Sequence, residues 1–169
     1  MGRGFIRFLM PASGRTEFVA YSAFLSYRLP NGTELPVDQQ VAWCPACVSF
    51  TIAERLPSVT ELELSLSEVR SADPARLRWL AFLDRSPDDE ADEITRRIAW
   101  SRGRRSSPRC LECGCDRILL LPEGDAFGHP ATGEPVEVVG TGWASMARWV
   151  AKFTPEGVEI ARPESHSEN

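Results

Sequence analysis

The sequence predicts an α+β fold in which an antiparallel β body is interrupted by an inserted segment of three helices. Apolar residues alternate with polar ones over much of residues 1–43, as in strands that are buried on one face. Between residues 58 and 102 they recur at helical spacing, and β patterns return after Cys113. We therefore expect one domain over residues 1–161, with the helical insertion at about 58–102 and a disordered polar tail at 162–169.

A hairpin is predicted near the N-terminus. The alternation from Val19 to Leu29 predicts one strand, and Asn31-Gly32 follows it. Both of these residues accept the positive φ angles of a tight hairpin turn. The return strand is expected over residues 35–43, and Pro36 places it at a sheet edge because proline has no amide hydrogen to donate.

Each predicted helix has a start signal. Ser58 and Glu61 form a capping box, whereas Asp73-Pro74 and Ser86-Pro87 put proline at the first helical position. The third helix begins with acidic residues and ends with arginines, which suits the helix dipole. The side chains expected to face inward are Val59, Leu62, Leu66 and Val69 in the first helix and Ala91, Ile94 and Ile98 in the third.

The part of the chain after Cys113 is expected to be β structure again. Short strands are predicted at 118–121 and 136–139. Apolar residues alternate over 147–153, and Thr154-Pro155-Glu156-Gly157 is a turn that leads to Val158 and Ile160.

Composition excludes some classes of protein. The net charge is −5, so no overall positive field draws the chain to nucleic acid. No apolar run approaches the length of about 20 residues that a membrane helix needs, and we expect a cytoplasmic protein with no membrane partner. The odd number of five cysteines does not suit a secreted disulfide scaffold, and in a reducing compartment paired CxxC motifs indicate metal binding first and redox chemistry second.

Four of the cysteines form two CxxC pairs. Cys44 and Cys47 flank Pro45-Ala46, and Cys110 and Cys113 flank Leu111-Glu112. Two such pairs can present four thiolates to one tetrahedral zinc ion. Gly114 can take the positive φ angle that closes the second turn. We therefore expect one structural zinc ion as the cofactor.

These motifs and their flanking strands resemble the zinc-ribbon group, in which two cysteine-rich turns lie at the tips of β-hairpins. The resemblance covers only residues 44–47 and 110–115, and it implies that Cys44, Cys47, Cys110 and Cys113 are the metal ligands. The long segment between the two pairs departs from simple ribbons and would hold the inserted helices. A longer loop adds only about 0.6 kcal/mol per doubling of its length, so this spacing does not forbid the site.

Other interpretations of the cysteines remain open. Trp43-Cys44-Pro45-Ala46-Cys47 is also typical of thiol–disulfide oxidoreductases, but those have a helix after the motif, and residues 48–52 are too β-branched and aromatic to begin one. Iron in a rubredoxin-like site would use the same four sulfurs. Cys115 is expected to be a spare thiol, although it can replace Cys113 as a ligand.

The sequence contains little that indicates catalysis. Four protein ligands leave a zinc ion without an open position for water, and we find no phosphate-binding loop, nucleophile elbow or HExxH motif. Of the two histidines, His129 lies in the loop Gly128-His129-Pro130 and His166 in the tail. The protein is therefore expected not to be an enzyme.

A run of arginines precedes the second cysteine pair, with Trp100 among them. Arginine with interleaved aromatic residues is typical of nucleic-acid binding. The same residues also suit a helix C-terminus followed by a solvated loop. The candidate contact residues, for nucleic acid or another partner, are Arg96, Arg97, Arg102, Arg104, Arg105 and Arg109.

The function that we expect is binding to another protein. A small acidic zinc-containing domain of bacterial type can act as an adaptor, or neutralise a basic partner as immunity and antitoxin proteins do; this last step is an analogy. A nucleic-acid-associated zinc ribbon is the alternative, followed by a thiol–disulfide oxidoreductase.

Overall fold

The computed structural model describes residues 2–21, 24–122, 124–145 and 150–161. It confirms a mixed α+β fold with antiparallel sheets and three helices. The strands are β1 Gly2–Met10, β2 Arg15–Ala20, β3 Phe24–Arg28, β4 Glu34–Pro36, β5 Gln39–Cys44, β6 Ser49–Glu54, β7 Leu119–Leu120, β8 Ala126–Gly128, β9 Pro135–Ser145, β10 Val150–Phe153 and β11 Glu159–Ala161. The helices are α1 Val59–Arg70, α2 Pro74–Phe82 and α3 Pro87–Gly103.

The described strands form three sheets. The first has the order β2-β1-β9-β8 and is antiparallel throughout. The second has the order β11-β10-β3-β4, in which β10 and β3 run parallel and the other pairs are antiparallel. The third has the order β6-β5-β7 and carries the first cysteine pair at the turn between β5 and β6.

The N-terminal hairpin is confirmed, but its two strands are shorter than predicted. The alternation from Val19 to Leu29 belongs to β2 and β3, which lie in different sheets. Likewise, the predicted return strand is divided into β4 and β5. A chain can change sheet at a corner while it keeps the same two-residue period, so alternation does not reveal the corner. Pro36 does lie in an edge strand, as predicted.

All three helices begin where their start signals place them. Ser58 caps α1 in a complete capping box with Glu61, and the side chains of Asp73 and Ser86 accept backbone N–H groups at the starts of α2 and α3. Helices α1 and α3 pack against each other through Leu62, Val69, Ile94 and Ile98, and Leu80 of α2 joins them. The helices lie between the two cysteine pairs in sequence, as an insertion.

Within the described ranges, the buried apolar residues form two separate clusters. The larger one fills the β body, and its centre includes the fully buried side chains of Phe8, Met10, Tyr27 and Leu35. The smaller one belongs to the three helices. None of the described helices has the length and apolarity that crossing a membrane requires. The alternation predicted at Ala147 and Trp149 and the predicted tail from residue 162 lie outside the described residues.

Candidate metal centre

The first cysteine pair lies at the tip of the β5–β6 hairpin. Cys44 is the last residue of β5 and is paired in register with Ser49, the first residue of β6. Cys47 lies in the intervening turn, which Val48 closes with a φ angle of 54°. The β-branched run after the motif forms strand β6 and not a helix. The motif therefore lacks the following helix that lowers the thiol pKa in oxidoreductases.

The second pair lies in a tight turn that is fixed to β6. Cys110 forms an antiparallel bridge with Ala53, and the Leu111 amide donates to the Ile52 carbonyl at 3.0 Å. The Gly114 amide donates to the Cys110 carbonyl at 2.9 Å. The φ angle of Gly114 is positive, as predicted, at 74°. This left-handed conformation closes the turn. Because both turns contact β6, the two pairs face each other.

The sulfur atoms of Cys44, Cys47, Cys110 and Cys113 all lie within 4.8 Å of one another. Cys44 Sγ is 3.5 Å from Cys113 Sγ, and Cys47 Sγ is 3.9 Å from Cys110 Sγ. A metal ion bound tetrahedrally at about 2.3 Å separates its sulfur ligands by about 3.8 Å. The four predicted ligands are therefore placed to hold one metal ion.

The surroundings of the sulfurs favour a bound cation. Burial raises the pKa of the Cys47 thiol well above its usual range, and the neighbouring sulfurs of Cys113, Cys44 and Cys110 raise it further. Four close thiolates repel one another, and a divalent cation removes this cost by neutralising them.

Cys115 lies outside the group of four sulfurs. Its carbonyl accepts the Cys110 amide at 2.8 Å, whereas its sulfur lies 3.4 Å from the Arg117 amide nitrogen. Cys113, and not Cys115, completes the cluster, in agreement with the CxxC spacing. The backbone of Cys115 thus supports the second turn, whereas its sulfur contacts the Arg117 amide and not the other four sulfurs.

Sequence reasoning missed a buried ion pair beside the second cysteine pair. Glu54, the last residue of β6, is fully buried. Arg104 binds both of its carboxylate oxygens, with Nη1 at 3.0 Å from Oε1 and Nη2 at 2.6 Å from Oε2. The Tyr27 hydroxyl donates to Oε1 at 2.7 Å and the Arg109 amide to Oε2 at 2.8 Å. Two guanidinium nitrogens, a hydroxyl and a backbone amide thus converge on one carboxylate.

The Glu54–Arg104 ion pair connects strand β6, the end of α3 and the segment just before Cys110. The Glu54 amide donates to the Arg109 carbonyl at 2.9 Å, and the Glu54 carboxylate accepts the Arg109 amide. Glu54 therefore binds the residue before Cys110 through both its backbone and its side chain. The Arg104 guanidinium lies 5.3 Å from the Trp100 ring centroid, at the end of α3. The site is closely packed, since a Cβ at Gly157 would lie 2.5 Å from Glu54 Oε1. Burial, together with the charge of Glu54, raises the pKa of Tyr27, which keeps its hydroxyl protonated as a donor.

One feature of the sequence indicates that the Glu54 carboxylate is buried. Phe50, Ile52 and Glu54 share one face of β6 at the two-residue period, and Phe50 and Ile52 are buried. An acidic residue in register with two core positions needs a buried cationic partner. The partner itself is hard to identify from sequence, because Arg104 follows all three helices.

The predicted arginine contacts do not form one common surface. Arg97 is buried and pairs with Asp38 and Glu93, and Arg104 pairs with Glu54. The exposed Arg102 pairs with Glu63, and Arg109 Nη1 donates to the Gly114 carbonyl at 3.1 Å. Arg96 and Arg105 are exposed. A nucleic-acid role for this run stays a prediction, and two of its six guanidinium groups are already engaged inside the fold.

His129 is buried beside the first cysteine pair. Its ring packs edge-on against Trp43, with the ring centroids 4.4 Å apart, and against Phe50 at 5.3 Å. Its Nδ1 accepts the backbone amides of Ala131 at 3.2 Å and Thr132 at 3.3 Å. The histidine therefore fixes the loop before β9 against the residue that precedes Cys44, and it is not part of the four-sulfur cluster.

Comparisons of the chain with models of protein families, with curated proteins and with solved structures found no match. A function for the chain must therefore rest on the four-sulfur cluster and on the surfaces of the fold.

Proposed function

We propose that Cys44, Cys47, Cys110 and Cys113 hold one structural zinc ion, and that the protein is not an enzyme but acts by binding another protein. The observation that carries the metal part is the convergence of four sulfur atoms within 4.8 Å of one another. Four thiolates in a tetrahedral arrangement are the donor set of structural zinc sites. Iron can use the same donors, so the identity of the metal needs a direct measurement.

The local architecture supports a zinc-ribbon-like site. One pair of ligands lies in the β5–β6 turn and the other in the turn before β7, and these three strands form one sheet. A metal ion between the two turns would connect the hairpin to the segment that follows α3. It would thereby close the loop that contains all three helices.

The four ligands also support a non-enzymatic role. A zinc ion with four protein ligands has no free position at which to bind water or polarise a substrate. Its contribution is then to the free energy of folding, because a site of this kind does not exist in the unfolded chain. A rigid body of this type can present the inserted helices to a partner.

The helical segment supports the partner-binding part of the proposal. On and just after α2, Trp79 is 52% exposed, Phe82 78% and Leu83 44%. Large apolar side chains that cluster at the surface typically mark interaction sites. Partner binding is the simplest role for such side chains in a chain whose metal ligands leave no catalytic position.

Elemental analysis of protein purified without added metal tests the proposal, together with a thiol titration. We expect one zinc per chain and four thiols that react only after a chelator or denaturant is added. Cys44→Ser should lose the metal, whereas Cys115→Ser is the matched control and should keep it. Iron in place of zinc, or metal-free protein in which Cys44 and Cys47 cycle between thiol and disulfide, would contradict the proposal.

A further inference from the structure

Strand β6 presents a buried hydroxyl group to the metal centre. Thr51 is 4% exposed and lies in the middle of β6. Successive side chains of a strand point to opposite faces, so Thr51 and Ala53 share one face of β6. Ala53 forms the antiparallel bridge with Cys110, and the Thr51 hydroxyl oxygen lies 3.7 Å from the Cys110 sulfur. The hydroxyl and one of the four predicted metal ligands are therefore direct neighbours.

The Cys110 sulfur is the better of two acceptors that the described residues offer to this hydroxyl. The other acceptor is the carbonyl of Ile52, whose oxygen lies 3.4 Å from the Thr51 hydroxyl oxygen. Hydrogen bonds from a hydroxyl to an oxygen are typically about 2.7–2.8 Å long. The Ile52 carbonyl also accepts the Leu111 amide already, at 3.0 Å. Because a sulfur atom is larger than an oxygen atom, the longer contact with Cys110 suits a hydrogen bond better.

Thr51 differs from the other buried polar side chains of the described residues. Glu54, Glu90 and Arg97 form ion pairs, and His129 accepts two backbone amides. The partner of Thr51 is instead a metal ligand. Burying a hydroxyl group costs free energy unless the group forms a hydrogen bond, and valine would fill the same space without that cost. The contact with the sulfur therefore gives a physical reason for threonine at this position.

Metal binding would fix the direction of this hydrogen bond. A free Cys110 thiol can donate to the hydroxyl oxygen, whereas a metal-bound thiolate has no hydrogen and can only accept. Four thiolates around one divalent cation keep a net negative charge, and a donor to one of them stabilises that charge. We infer that Thr51 is a positioning residue of the metal centre, which donates its hydroxyl hydrogen to the Cys110 thiolate. This inference rests on the proposed four-cysteine site.

The hydroxyl adds a third link between β6 and the second cysteine turn. The bridge of Ala53 with Cys110 and the hydrogen bond from the Leu111 amide to the Ile52 carbonyl both fix the backbone of the turn. The Thr51 hydroxyl acts on the ligand atom itself. Its removal should therefore change the metal–sulfur bonding as well as the affinity for the metal, and a loss of packing alone would not do so.

The test uses the full chain and two variants that separate the hydroxyl of Thr51 from its shape. Thr51→Val removes the hydroxyl and keeps the branched shape, whereas Thr51→Ser keeps the hydroxyl and loses the methyl group. Thr95→Val is the matched control, because the Thr95 hydroxyl donates to the Ala91 carbonyl at 2.8 Å within α3. Competition with a chromophoric chelator measures the zinc affinity. After substitution with cobalt(II), the sulfur-to-cobalt charge-transfer band reports the energy of the sulfur lone pairs.

We expect Thr51→Val to weaken zinc binding about tenfold or more, as the loss of a hydrogen bond to a metal ligand typically does. Its charge-transfer band should move to longer wavelength, because the sulfur lone pairs rise in energy when the hydrogen bond is lost. Thr51→Ser should bring both properties back close to those of the wild type. Thr95→Val should change neither of them.

Two results would overturn the inference and leave the four-cysteine site standing. One is a Thr51→Val protein with the zinc affinity and the charge-transfer band of the wild type. The other is weaker zinc binding with an unchanged band in both Thr51→Val and Thr51→Ser, which would show that Thr51 only fills space. A wild-type chain that binds cobalt without sulfur ligands, or not at all, would contradict the proposed metal site and the inference with it.

Discussion

The β body and the helical segment bury their apolar residues to different degrees. In the body, aromatic side chains such as Phe8, Tyr27 and Phe153 are almost completely buried. In the helical segment only five apolar residues are buried, while Trp79 and Phe82 face the solvent. The body thus encloses the larger core, although its Phe18 and Val48 are also exposed, whereas the helices leave a stacked aromatic pair at the surface.

The two regions are joined near the second half of α3 by polar contacts and by Trp100, whose ring centroid lies 4.5 Å from that of Tyr27. Arg97 donates to the Asp38 carboxylate at 2.6 Å and to the Pro36 carbonyl at 3.0 Å. Trp100 donates to the Pro155 carbonyl at 3.0 Å, and Arg104 enters the body to reach Glu54. The contrast between the larger core of the body and the smaller core of the helices can therefore be tested by mutations on either side of these contacts.

The largest effect is expected from removing a metal ligand. Cys110→Ala should release the metal and destabilise the β body, because structural zinc contributes about 10–16 kcal/mol to the folding of small zinc-finger peptides. The larger apolar core of this body should reduce the loss. Metal content and thermal unfolding provide the measurement. Unchanged melting and metal content in Cys110→Ala would show that Cys110 is not a metal ligand.

A smaller effect is expected at the buried ion pair that joins the two regions. Glu54→Gln leaves Arg104 buried without a countercharge, which should cost about 3–5 kcal/mol. Glu63→Gln is the matched control, since Glu63 pairs with Arg102 on the surface and its loss should cost about 0–1 kcal/mol. Denaturant titrations measure both variants. Equal losses of stability would mean that burial of the Glu54 pair has no energetic consequence.

Mutation within the helical cluster should separate the regions. Leu80 is 1% exposed, and Leu80→Ala should destabilise the helices by about 2–5 kcal/mol. We expect helical circular dichroism to be lost at a lower temperature while the metal stays bound. Leu64→Ala, at a position that is 62% exposed, should change little. If Leu80→Ala releases the metal in the same transition, the two regions unfold as one unit.

The smallest effect concerns the start of α1. Hydrogen bonds from the Ser58 backbone and side chain, followed by the nearby Arg55, lower the pKa of Glu61 below its usual value. A lowered pKa contributes stability above the usual glutamate pKa, and this contribution is lost as pH falls through the lowered value. In the Glu61→Gln variant, the helical circular dichroism signal should therefore fall less steeply as the pH is lowered. If the signal of this variant depends on pH in the same way as that of the wild type, the capping box is not a source of the pH dependence.

Local features of the fold could be predicted from the sequence, and long-range ones mostly could not. The starts of the helices depend on neighbours such as Ser58 and Glu61, so the capping residues identify them. The ligand set that brings Cys44 near Cys113 could be predicted, because two CxxC pairs can supply four thiolates to one metal ion, but the spacing alone does not show that the pairs meet. The Glu54–Arg104 pair was not predictable, because nothing near either residue indicates the partner.

The exposed side of α2 shows a second limit. Trp79, Leu80 and Phe82 are all large and apolar, but only Leu80 is buried. Helical periodicity indicates which residues share a face, and it does not show whether another element covers that face. The sheet corners after Ala20 and Pro36 were missed for a related reason, since alternation is the same on both sides of a corner.

X-ray absorption spectroscopy at the zinc edge tests the four-cysteine site most directly, with wild-type and Cys115→Ser protein measured side by side. Four sulfur neighbours at about 2.3 Å are expected in both proteins, with no nitrogen or oxygen in the first coordination sphere. A spectrum with fewer than four sulfurs, an oxygen neighbour from water, or a change in the Cys115→Ser protein would contradict a closed site made by Cys44, Cys47, Cys110 and Cys113.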